Sequence, residues 1–465
     1  MSIGVESIPG ARRLIKSLRD MGYEFESAVA DLIDNSIAAR ANTVRINTHW
    51  AGADSYVSIA DNGVGMSAQD LREALRFGAE RDYDDDDLGK FGLGLKTASL
   101  SQCRKLIVAS RQNESRADIN AYCWDMSHIE ATNKWEILPV RSADLPERVR
   151  LHLKETTGTV VVWQQLDRIL GYSNPEGEPA RKRLIDMCRT LEEHVAMVFH
   201  RFLENKVRGK RLAIYIQDDK VTPWDPFVAN EPKRKVLEPL SLKVDGHIGR
   251  SDVVFEPYVL PAQSMFSSPE AHKRASGPAS WNRQQGFYIY RADRLIQSGG
   301  WSNIRTLDEH LKLARIAVFF SPKLDEEFKI NVPKMKVAFP AEIRADVEKA
   351  VKTWTRIADE TYRTANKAAG GAASPAAPIS IAPAGGKSGS KPAAPSPSPA
   401  PAPSSAGAGN SSGTFSTSTP VSPPKSGVTS EELARVGKLL KKVAKPDELS
   451  AIDAAVARAQ STLED

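Results

Sequence analysis

The sequence predicts a mixed α+β fold with a non-globular extension. Segments with helical spacing of apolar residues alternate with short β-branched runs up to about residue 365. No internal repeat appears, and near residue 367 the composition changes abruptly. Residues 12–21, 25–40 and 68–77 carry the helical pattern. Residues 43–48, 56–60, 105–110, 159–164, 211–217, 286–290 and 317–320 carry the strand pattern.

From 367 to 427 the chain is almost all Ala, Pro, Ser, Gly and Thr, with no acidic residue. Such a stretch has too little apolar surface to offset the entropy of ordering, so it reads as a disordered linker. Residues 428–465 return to a helical pattern, with Thr429 or Ser430 as cap. Leu433, Val436, Leu440 and Val443 form one stripe, Pro446 interrupts, and Leu449, Ile452, Val456 and Leu463 form another. A docking module for a protein partner and a weakly ordered helical tail both fit.

Charge and cysteine usage exclude several classes. Lys and Arg number 63 against 58 acids, a net charge of +5 that permits nucleic-acid contact without arguing for it. Cys103, Cys123 and Cys188 are scattered, which gives neither a disulfide framework nor a zinc site. There is no apolar run of membrane-spanning length and no leader-like start, so a cytoplasmic protein with no membrane partner is expected.

Four short motifs precede residue 165. In ADLIDNSIAAR, Asp31 and Asn35 are four apart and so share a helix face, where a carboxylate and a carboxamide can hold a water and a cation together. In SIADNGVGM, an alternating strand ends in Asp61, followed by Gly63 and Gly65. An acid at a strand end with glycines after it suits a flat ligand against the backbone, and equally suits a plain turn. In GKFGLGLKTAS, Gly89, Gly92 and Gly94 precede a helix-like segment with Lys96 and Thr97, a pattern that offers amides to an anion. It matches neither the P-loop nor the dinucleotide fingerprint. Finally TTGTVVVWQQLD gives a polar turn and a strand led by Thr159.

In this order, the motifs resemble the GHKL ATPases: gyrase B subunits, ninety-kilodalton heat-shock chaperones, histidine kinases and MutL proteins. FGLGLKTASLS, WDPF at 224–227 and GFYIYRADRLI at 286–296 narrow the resemblance to the microrchidia (MORC) ATPases and their prokaryotic relatives. The resemblance implies a Bergerat ATP-binding α/β sandwich over residues 1–215. A transducer-like α/β domain would follow over 216–366, then the linker (367–427) and the helical tail (428–465).

It further implies Mg²⁺ and ATP as cofactors. Asn35 would coordinate the metal. Asp61 would accept from the adenine amino group, with Gly63, Gly65, Met66 and Thr159 around the base. Gly89, Phe91, Gly92, Leu93, Gly94, Leu95, Lys96 and Thr97 would enclose the phosphates. The general base falls on Asp31, where the family usually has glutamate. Its carboxylate sits one methylene further back, and a displacement near 1 Å can cost about 100-fold in rate. Asp34, beside Asn35, is a possible helper, though it points about 100° round the helix from Asn35. Lys334 or Lys336 would reach the γ-phosphate from the second domain.

The implied activity is a slow ATP hydrolysis that drives closure of a homodimeric clamp, with DNA bound without sequence specificity. A chaperone-like clamp on protein clients and a nucleotide-gated scaffold without turnover remain open. Basic clusters at Lys206, Arg208, Lys210 and Arg211, and at Lys233, Arg234 and Lys235, could track phosphates or be solvated loop ends. The aspartate run ERDYDDDDLGK before the glycines reads as a solvated loop.

Overall fold

A computed structural model of the chain describes residues 9–20, 22–78, 94–112, 118–171, 174–329 and 337–370. Gly89, Phe91, Gly92, Leu93, Lys334, Lys336, the aspartate run, the linker and the helical tail lie outside the described residues.

The mixed α+β class holds. A first sheet contains β1 (Thr43–His49), β2 (Tyr56–Asp61), β3 (Lys105–Arg111), β4 (Asn120–Asp125), β5 (Leu138–Pro139), β6 (Gly158–Gln164), β7 (Ala213–Ile216) and β8 (Asp219–Lys220). Its order is β5-β4-β3-β6-β2-β1-β7-β8. Neighbours are antiparallel except β1 and β7, which run parallel. The alternation along the strands sorts side chains between two layers. Val44, Ile46, Val57, Ile59, Val161 and Trp163 belong to the larger core. Ala60, Ile107, Ala109, Val160 and Val162 face the other way.

The larger core is closed by α1 (Ala11–Arg19), α2 (Phe25–Ala38), α3 (Ala68–Leu75), α4 (Gly94–Leu100), α5 (Met126–Thr132) and, after α6, by α7 (Glu178–Val198) and α8 (His200–Leu203). The opposite face is covered by α6 (Glu147–Glu155) through Val149 and Leu153. Buried Trp163 packs edge-on to Phe25, with ring centroids 5.9 Å apart, and so ties α2 to the sheet. The start of α3 is set by a capping box: the Ser67 hydroxyl accepts from the Asp70 N–H, and the Asp70 carboxylate accepts from the Ser67 N–H.

The second sheet comprises β9 (Lys235–Val236), β10 (Leu240–Gly246), β11 (Gly249–Val259), β12 (Gly286–Arg291), β13 (Arg294–Ser298) and β14 (Ala314–Phe320). Its order is β10-β11-β14-β12-β13, with β9 beside β11. Short helices α9 (Pro269–Ala275) and α10 (Ser280–Arg283) precede the β12–β13 hairpin. The closing helix α11 (Ala341–Gly370) buries Ile343, Val347, Val351, Trp354 and Ala358 at helical spacing against Phe255, Phe287 and Phe339. It continues past residue 366, where the linker was expected to start, because Ala and Lys in the last turn sustain a helix. The expected domain boundary at 215/216 falls inside β7.

The WDPF motif serves packing. The Arg315 guanidinium is fully buried, donates to the Pro226 and Ala275 carbonyls at 2.6 and 2.7 Å, and sits among Trp224, Trp281 and Tyr288.

Candidate functional site

The strand β2 ends on Asp61, whose carboxylate is buried. Its Oδ1 accepts from the N–H groups of Gly63 at 2.9 Å and Thr159 at 3.2 Å. Its Oδ2 accepts from the Ser36 hydroxyl at 3.1 Å. One acid thus joins α2, its own turn and β6. Burial pushes its pKa above the ordinary aspartate value, while the Gly63, Ser36 and Thr159 donors pull the other way.

A second hub, Ser110 at the end of β3, holds the floor. Its hydroxyl donates to the Gly158 carbonyl at 2.8 Å, accepts from the Met66 N–H at 2.8 Å and lies 2.9 Å from the Thr159 hydroxyl. The Thr157 hydroxyl donates to the Gly63 carbonyl at 3.0 Å. The glycines of the turn answer to the chain's own packing. A Cβ on Gly63 would lie 2.7 Å from the Ala39 carbonyl. Gly65 has φ +66°, and a Cβ there would lie 2.1 Å from the Arg111 carbonyl.

On α2, Asp31 and Asp34 are buried, whereas Asn35 is the one exposed residue from 25 to 37. The two acids share one cation. Arg294, at the start of β13, places its guanidinium 2.9 Å from Asp34 and 3.6 Å from Asp31 Oδ1. It also lies over the Phe199 ring, 5.8 Å from the centroid. The other oxygen, Oδ2 of Asp31, faces the first residue of α4, 3.8 Å from where a Cβ on Gly94 would sit. Tyr23 completes the pocket. Burial and then the Asp31 carboxylate push its hydroxyl well above the ordinary tyrosine range. Half-buried His194 is held down to about 4, by desolvation and then by Arg294.

Of the glycine-rich motif, the described part is α4. Thr97 is buried and Leu95 packs on the core. Lys96 was expected at a phosphate. Here its ammonium donates to the Ala74 and Arg76 carbonyls at 3.0 and 2.9 Å, at the C-terminal end of α3. A cation there satisfies the orphan carbonyls of a helix end. Reaching a phosphate would require it to leave both. Burial lowers its pKa to about 8.

The basic clusters separate. Arg234 stacks on Tyr258 and donates to the Phe227 carbonyl, and Lys235 donates to Thr361. Lys206 pairs with Glu204 at 2.9 Å. Arg208, Lys210 and Arg211, together with Arg40, line a cavity of about 750 Å³ beside the end of α2, and no carboxylate lines it among the described residues.

Comparison with known proteins bears on the segment that holds Asp31 and Asp61. Residues 23–159 match the family described as histidine kinase-, DNA gyrase B-, and HSP90-like ATPases. The chain is 28% identical over 89 residues to the ATPase morc-1 of Caenorhabditis elegans, covering 19% of this chain and 10% of that protein. Over residues 23–159 this chain carries a GHKL-type ATPase domain, similar to MORC proteins. The MORC-like chain is also 30% identical over 94 residues to Protein MICRORCHIDIA 6 of Arabidopsis thaliana, covering 19% and 14%. To the DNA mismatch repair protein MutL of Thermosipho africanus (strain TCF52B) it is 27% identical over 191 residues, covering 37% and 33%. It thus spans a third or less of the length of each of these relatives.

Three residues of this candidate site had no place in the sequence reading. Ser36 stands next to Asn35, and a serine on a mostly apolar helix signals a polar partner. Ser110 carried no signal. Arg294 lay in the quoted GFYIYRADRLI stretch, beside two further charged residues, Arg291 and Asp293. Among the described residues no helix is long and apolar enough to cross a membrane.

Proposed function

We propose that this protein binds and slowly hydrolyses Mg-ATP, and that nucleotide state drives closure of a homodimer on DNA. The observation that carries the reading is the Asp61 carboxylate. It is fixed by three donors at the end of β2, next to a helix that presents Asp31 and Asn35 one turn apart. In this reading Asp61 accepts from the adenine amino group, with Thr159 and Met66 beside the base. Asp31 takes a proton from the attacking water. Asn35 would hold Mg²⁺. Its exposed carboxamide offers one hard oxygen, and no group of three His, Cys, Asp or Glu suited to a metal occurs among the described residues, so the phosphates would supply the remaining ligands. When bound, the ion supplies charge neutralisation at the phosphates. Residues 216–366 act as the transducer-like part, with Lys334 or Lys336 at the γ-phosphate. Gly89, Phe91, Gly92, Leu93, Gly94, Leu95, Lys96 and Thr97 form the phosphate lid.

DNA is favoured over a protein client by the carboxylate-free basic cavity, which suits phosphates. The printed function of the MutL relative points the same way. The test is steady-state phosphate release from Mg-ATP by wild type and Asp31→Asn, with and without duplex DNA. Turnover lost in the variant and stimulated by DNA supports the whole reading. ATP binding without release by wild type would leave a nucleotide-gated scaffold.

A further inference from the structure

Asp31 is held from the second sheet. The β12–β13 hairpin turns through Ala292 and Asp293, both with positive φ (46° and 67°), a pairing that matches the twist of a two-residue hairpin. Its turn is latched to α8 by the ion pair of Arg201 with Asp293 at 2.8 Å. The next residue, Arg294, enters the pocket under α2 and takes both acids. Asp34 has the closer contact, 2.9 Å, and fixes the guanidinium; Asp31 has the looser one, 3.6 Å at Oδ1. Asp31 Oδ2 lies toward the start of α4. The Tyr23 hydroxyl also bonds the Asp31 carboxylate, so a cation from the second sheet and a phenol from the N-terminal side meet on one acid.

We propose that Arg294 is a positioning residue. It fixes the Asp31 carboxylate from the second sheet, so turnover at the nucleotide site follows the placement of the β12–β13 hairpin. The inference rests on the reading of Asp31 as the base. It also explains how a short aspartate serves there, because an anchored carboxylate loses less to misplacement than one free to rotate.

Arg294→Gln alone strands two buried acids, so the decisive variant is Asp34→Asn with Arg294→Gln. It keeps the formal charge of the cluster while removing the tie. We expect it to melt near wild type and to bind ATP within about threefold. Its kcat should fall about 10- to 100-fold, the range that misplacing a catalytic group by up to ~1 Å implies. Arg294→Lys should recover part of kcat without changing KM. A readout independent of turnover accompanies this: amide exchange across residues 286–298 on adding a non-hydrolysable ATP analogue. Wild type should respond and the double variant should not. Wild-type kcat in the double variant, or equal losses of kcat, ATP affinity and melting temperature, overturns the positioning role. If wild type binds ATP without turnover, the base reading of Asp31 fails. In that case an exchange response lost with Arg294 still supports the tie between hairpin and nucleotide site, and an unchanged response overturns it.

Discussion

Asp61→Asn should separate nucleotide recognition from folding. The carboxylate accepts two backbone N–H groups on Oδ1, and an asparagine oxygen can keep both. Its Oδ2 accepts from Ser36, whose hydroxyl also lies 3.1 Å from the Leu32 carbonyl. With an amide NH₂ in that place, Ser36 can donate to Leu32 and accept from residue 61, so every protein partner stays satisfied. A buried carboxylate whose pKa burial raises is also replaced by a neutral group. Stability should therefore stay within about 1 kcal/mol of wild type, because no buried donor or acceptor is orphaned. The adenine amino group, by contrast, would lose a charged acceptor and face a donor. A hydrogen bond to a charged group contributes about 1.5–3 kcal/mol, so ATP affinity should fall about 10- to 150-fold. Guanine carries a carbonyl at that position, so the preference for ATP over GTP should shrink as well. Calorimetric titration with both nucleotides, beside a thermal melt, measures all three. Unchanged ATP affinity, or an affinity loss matched by unfolding, would refute the assignment of Asp61 to the base.

Acidification should weaken ATP binding at a pH above the ordinary aspartate value, because burial raises the Asp61 pKa and the protonated acid is a poorer acceptor; the Asp61→Asn variant should lack this step. Lys96 has a folded pKa lowered to about 8, so the unfolded chain holds the extra proton between there and the ordinary lysine value of 10.5, and stability should rise with pH over that window. Denaturant midpoints for Lys96→Met should lack that rise. Trp163→Ala should destabilise the protein by about 3–5 kcal/mol in urea, as expected for truncating a fully buried tryptophan. Gly65→Ala should destabilise it by at least ~1–3 kcal/mol through φ strain, and by more because its Cβ would collide with the Arg111 carbonyl.

What could be read from the sequence follows the range of the interactions. The helix at Phe25 and the strand ending in Asp61 have strong local periods and appear within two residues of expectation. The hairpin strand from Gly286 does too. Asp61 was legible because an acid, an apolar strand and two glycines are contiguous. Its anchor Ser36, and the Ser110 hub that holds Thr159, were not: they come from α2 and β3, and only the sheet order puts β6 between β3 and β2. Lys96 illustrates the opposite failure. Its place in the motif points to an anion, yet the nearest acceptors are carbonyls of α3, some twenty residues earlier. The long helices α7 and α11 escaped notice, as their stripes are diluted by many charged residues.

The parallel pairing of β1 with β7 sets an order of assembly. β1 gains its second neighbour through Thr43–Ala213 to Ile46–Ile216, long after β2 has covered its other edge. At ~5–20 residues per second, the edge of β1 stays bare on the ribosome for on the order of ten seconds or more. An unpaired edge is a template for another chain, and Arg45 and His49 on that strand are the kind of polar interruption that discourages such pairing. A fragment cut to residues 23–159, the stretch the family model matches, would never receive β7. The stretch that carries the family likeness thus leaves bare a sheet edge that a later segment covers.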